Sequence, residues 1–86
     1  MPEISRFLGI VIYMYFNGHN PAHFHVAYNE YEAAVVIRTL GVMEGKLPAR
    51  VLSLVVEWAS LHQEELLANW ESIRSTGRYH GIEPLA

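Results

Sequence analysis

The chain predicts an α+β fold: a three- to four-stranded antiparallel β-meander followed by one long amphipathic helix packed on one face, with a short extended C-terminal tail. Three observations carry this expectation. The first half concentrates β-branched and aromatic residues in short runs separated by Gly, Asn and Pro. The second half switches to helical spacing of its apolar residues. No linker, repeat or low-complexity stretch divides the 86 residues, so residues 1–86 are read as a single domain.

Phe7 to Phe16 is rich in strand-forming side chains and stops at Asn17-Gly18. It is apolar at both parities, which predicts one strand covered on both faces. Asn17, Gly18, Asn20 and Pro21 form a turn; Pro21 fixes φ and biases Asn20 to extended backbone. His23 to Tyr28 then alternates, placing His23, His25 and Ala27 on one side and Phe24, Val26 and Tyr28 on the other. Asn29-Glu30 predicts a hairpin into a strand over Tyr31 to Thr39, and Leu40 to Glu44 predicts a short fourth strand. Pro48 suits a first helical position, and Gly77 suits a helix stop. Between them Val51, Val55, Trp58, His62, Leu66 and Ile73 fall on one stripe of a helix expected over Pro48 to Ser75. Ser60 and Gln63 resemble an internal capping box, a place for a kink. Arg78 to Ala86 is short enough to add only an extended edge.

Nine acidic against six basic residues give a formal charge of −3, so no basic field gathers nucleic acid by counterion release. Local phosphate contacts through Arg6, Arg38, Arg50, Arg74 or Arg78 stay open. No cysteine is present, which excludes disulfides and thiolate chemistry and fits a reducing compartment. The apolar run from Phe7 falls well short of the ~20 residues of a membrane span, and Met1 to Arg6 lacks the features of a secretory leader. The expectation is a cytoplasmic protein without membrane attachment. Half the residues are apolar, generous for so small a domain. That predicts a homo-oligomer, a dimer in the simplest case, or a heterologous partner covering part of the surface.

His19, His23 and His25 fall within seven positions and form the candidate site. His23 and His25 project from one side of a strand, and His19 lies in the turn before them. Two chemistries suit the trio. As catalytic groups, two imidazoles divide acid and base roles near neutral pH; with an RNA substrate the 2′-hydroxyl supplies the nucleophile. As ligands, the same three residues offer a divalent transition metal of the zinc or nickel type three nitrogens, with Glu30 or Glu32 as a further ligand if the hairpin brings one alongside. The bland alternative keeps them as turn caps or as rings stacked on Tyr13 and Tyr15 within an interface. His62 is expected at the core boundary, bonded to backbone or a tyrosine, and His80 in solvent.

Arg6-Phe7-Leu8-Gly9-Ile10, then Tyr13-Met14-Tyr15-Phe16 and His19-Asn20-Pro21-Ala22-His23-Phe24-His25-Val26, resemble the opening of a family of small bacterial proteins, domain of unknown function 4160. Glu57-Trp58-Ala59-Ser60-Leu61-His62, Glu64-Glu65-Leu66, Asn69-Trp70 and Ile82-Glu83-Pro84-Leu85 are similar to that family as well. Ala22 departs from its pattern, where a second proline is expected. The family is often encoded beside another, domain of unknown function 2442, in pairs that look like toxin–antitoxin modules. The resemblance therefore implies a small protein partner encoded alongside and an RNA-directed activity; a fold family supplies no mechanism by itself. Three expectations follow: a toxin–antitoxin-like or regulatory module acting on or contacting RNA, a three-histidine metal module, or a non-catalytic protein-interaction domain.

Overall fold

The computed structural model describes residues 2–16 and 21–85. Five strands form one antiparallel meander in chain order: β1 Glu3–Phe7, β2 Ile10–Tyr13, β3 His23–Tyr28, β4 Tyr31–Val36 and β5 Val42–Gly45. Two helices follow, α1 Ala49–Ser60 and α2 Gln63–Thr76. The α+β class and the sheet-then-helix order agree with the sequence; the strand and helix counts do not.

The run from Phe7 to Phe16 is a hairpin corner rather than one strand. Phe7 pairs with Ile10, and the intervening Leu8 and Gly9 both adopt positive φ, 53° and 79°. A two-residue turn with this handedness matches the twist of its strands. An unbroken apolar run hid it, because Leu8 carries no turn chemistry and stands 66% exposed at the tip. β1 is therefore drawn from the residues before that run together with Phe7, with a bulge at Ile4.

The single long helix is two helices. Leu61 and His62 donate to Trp58 O and Ala59 O, tightening the last turn of α1, and α2 starts anew with Leu66 N–H on His62 O. The expected capping box does not form: Ser60 Oγ bonds back to Glu57 O, and His62 takes the N-cap position. Gln63 instead donates to Ile37 O at 2.8 Å and Arg38 O at 3.2 Å, tying the break to the chain leaving β4.

Both helices bury their apolar stripes against the sheet face carrying Ile10, Ile12, Phe24, Val26 and Val35. Trp58 is the centre of that core, its ring 5.5 Å from Phe7 and 6.0 Å from Phe24. Burying so large a ring contributes about 1.5–3 kcal/mol or more by area alone. Its Nε1 donates to Glu83 O, while Asn69, fully buried, donates to His80 O and accepts from His80 N–H. Ile82 N–H reaches Ile4 O. The tail thus lies extended along β1 and covers that edge without forming a full strand. At the other edge β5 is exposed throughout and pairs only with β4 among the described residues.

Candidate functional site

The face opposite the core is built from cross-strand rows. Tyr13 pairs with His25, His25 with Ala34, and Ala34 with Glu44, so these four side chains stand in one line across the sheet. Beside it, Val11 pairs with Ala27 and Ala27 with Glu32. The alternation read from the sequence is met: Phe24 and Val26 enter the core, and His25 takes the other face.

His25 is held in a ring stack. Its imidazole lies 5.2 Å from Tyr13 with planes 16° apart and 4.6 Å from Tyr15 with planes 6° apart. Ala34 is the next residue of the row and adds almost no volume. The gap it leaves is a cleft of about 240 Å³, walled by Tyr15 and His25 on one side and by Glu32 and Glu44 on the other. Gly45 permits the close approach of β5: at φ +75° it sits so near Glu32 that a Cβ would fall 2.2 Å from the Glu32 carbonyl.

Burial disfavours the charged form of the His25 ring. Burial lowers its pKa below the usual histidine value, the neighbouring His23 adds to that, and Glu44 and Glu32 oppose it. His25 Nε2 is sealed from solvent with no hydrogen-bond partner among the described residues. Burial likewise raises the Tyr13 hydroxyl, aided by the charge of Glu32.

His23 does not join this cleft. It begins β3 at a corner of the same face, but it is only 1% exposed and lies 5.0 Å from the Trp70 ring of α2. Its Nδ1–H donates to Pro21 O at 2.8 Å, which fixes the tautomer. The rings of His23 and His25 meet edge to face at 5.0 Å. His19 lies outside the described residues. Among those described, no three His, Cys, Asp or Glu side chains are arranged to hold a metal ion. Glu32 does reach the His25 side of the sheet, as one sequence alternative required, whereas Glu30 does not line the cleft. His62 bonds the carboxylate of Glu65 rather than backbone or a tyrosine, and packs on Trp58. His80 is exposed.

Sequence reasoning missed Glu44 as a cleft wall and Trp70 as the cover of His23. Glu44 was within reach, since alternation along Val42–Gly45 puts it on one face once the pairing with β4 is known. Nothing local announces that Trp70 meets His23 from 47 positions away.

Fold and site define a small sheet-and-helix-pair domain with an aromatic, acid-walled cleft on its open face. No helix among the described residues is long and apolar enough to cross a membrane. The family model for the domain of unknown function DUF4160 matches residues 9–71, and the chain belongs to that family. No curated protein and no solved structure matches the chain significantly.

Proposed function

We propose that this chain is the partner-binding half of a two-protein regulatory module of the toxin–antitoxin type, engaging its partner through the open sheet face. The Tyr13–His25–Tyr15 stack supports this reading most directly. It places aligned rings, with Tyr15 the exposed member, on the sheet face opposite the core and beside the β5 edge, which pairs with no further strand among the described residues. Aromatic side chains with a polar tip are the residues that interfaces enrich. Tyr15 and Phe16 are both exposed there, although Phe16 also touches Trp70.

A non-catalytic role is favoured over RNA cleavage by the division of the histidines. The two-imidazole acid–base pair read from the sequence requires both rings presented to one phosphate. Here His23 is covered and its Nδ1 is committed to backbone, while His25 sits beside two carboxylates that repel phosphate. A three-histidine metal centre would depend on His19, and His23 brings to it a ring already engaged at Nδ1.

The test is coexpression with a small partner protein of the kind the family resemblance implies. A stable complex is expected, weakened ten-fold or more by Tyr15→Ala or His25→Ala at unchanged circular dichroism. RNA integrity on induction is expected to be the same for the wild type and a His23→Ala, His25→Ala variant. RNA loss that disappears in that variant would replace this reading with the catalytic one. A metal content near one per chain in untagged protein would replace it with the metal one.

A further inference from the structure

The cleft and the open edge lie side by side, and together they specify what a partner must carry. Glu44 belongs to β5, the edge strand, and its side chain stands on the cleft face in line with His25. The outer side of β5 has no strand paired to it among the described residues. Val42 and Met43 are 40% and 36% exposed along it. An added strand would place one residue directly across from Glu44, with Cβ atoms about 4.5–5.5 Å apart and on the same face. That residue's side chain is aimed over Glu44 toward Glu32 and the exposed ring of Tyr15.

The chemistry of this position is that of a cation receptor with a flat wall. Two carboxylates supply charge and paired acceptor oxygens, and neither has a cationic partner: the ion pairs among the described residues are Arg6–Glu3, His62–Glu65 and Arg74–Glu71. Tyr15 is held against His25 at 4.6 Å between centroids, and its exposed ring supplies the flat wall. An ammonium satisfies the charge alone. A guanidinium also stacks on the ring and offers a planar fork to a carboxylate, so arginine uses both walls where lysine uses one.

We propose that β5 accepts an extended segment of the partner protein whose arginine, in register with Glu44, fills the cleft between Tyr15 and the Glu32–Glu44 pair. This deepens the partner-binding reading and rests on it. Main-chain pairing along the edge supplies general affinity, and the arginine sets register and selectivity. The acidic walls exclude a phosphate-bearing occupant.

The experiment titrates the isotopically labelled full chain with a blocked pentapeptide of β-branched residues bearing arginine at its centre, followed by NMR. Counterparts carry lysine or citrulline, the latter having the same shape as arginine without its charge. The arginine peptide is expected to shift the amides of Val42–Gly45 and the ring signals of Tyr15 and His25 together. Citrulline is expected to bind at least ten-fold more weakly and lysine several-fold more weakly. Glu32→Gln and Glu44→Gln, both at exposed positions and conservative, are each expected to reduce arginine binding five-fold or more with an unchanged spectrum elsewhere. Equal binding of citrulline, shifts confined to other surfaces, or indifference to Glu44→Gln would overturn the proposal. A failed peptide alongside a natural complex still sensitive to Tyr15→Ala would remove the arginine assignment and leave the partner-binding reading standing.

Discussion

Asn69 shows how much one polar side chain fixes here. It is fully buried and spends both ends of its amide on the backbone of His80. Asn69→Ala is expected to lower stability by about 1–3 kcal/mol, because both backbone groups lose their partner. Urea denaturation measures the loss, and hydrogen exchange locates it: the Ile82 amide, bonded to Ile4 O, is expected to lose protection first. Unchanged Ile82 exchange would mean the tail is held by Trp58 alone. Gly45 is the second such residue. An added methyl meets backbone, which cannot give way, at a φ that side chains avoid. Gly45→Ala is expected to cost about 1–3 kcal/mol and to displace Glu44 from the cleft. The matching observation is a shifted His25 ring signal at low denaturant.

At the scale of elements, the sequence misled at one junction, the turn inside Phe7–Phe16, and at the other marked as a kink near Ser60 and Gln63 what is a full break between two helices. The turn between β1 and β2 carries leucine where asparagine is the preferred residue at positive φ. Leu8→Asn is expected to stabilise the domain by about 0.5–1 kcal/mol, raising Tm by a few degrees for a chain of this size. A fall in Tm would show that the exposed Leu8 side chain packs on something that the isolated fold does not reveal. The break between α1 and α2 is anchored by Gln63 on the carbonyls of Ile37 and Arg38. Gln63→Ala is expected to cost about 1–2 kcal/mol, chiefly through the part-buried Ile37 carbonyl that loses its partner. The loss should appear as faster amide exchange in the first turn of α2, with α1 unaffected.

For the whole molecule, the charge state of His25 links stability to pH. Its pKa in the folded chain lies below the ordinary value of 6.5, first through burial and then through His23, against the pull of Glu44 and Glu32. The unfolded chain therefore binds a proton that the folded chain resists. Stability is expected to be full above that ordinary value, to fall as pH drops through it, and to level off below the folded-state pKa. His25→Gln is expected to flatten this slope, measured as the difference between urea midpoints at about pH 5 and about pH 8. An equal slope in the variant would assign the dependence to other groups. The same neutral ring favours a cationic occupant, so association through the open face should weaken over the same acidic window.

Local chemistry in the chain determined the class of fold, the alternation that puts Phe24 and Val26 inside and His25 outside, and the stacking partners Tyr13 and Tyr15, because strand periodicity is a property of neighbouring residues. It also marked the family. Tertiary structure alone decided that the clustered histidines part company. His23 is closed over by Trp70 from a distant helix, and His25 faces Glu44 only because β4 and β5 pair in a register that Gly45 permits. Contacts between residues far apart in sequence depend on how elements dock, and docking is set by the shape of the whole core rather than by any stretch of it.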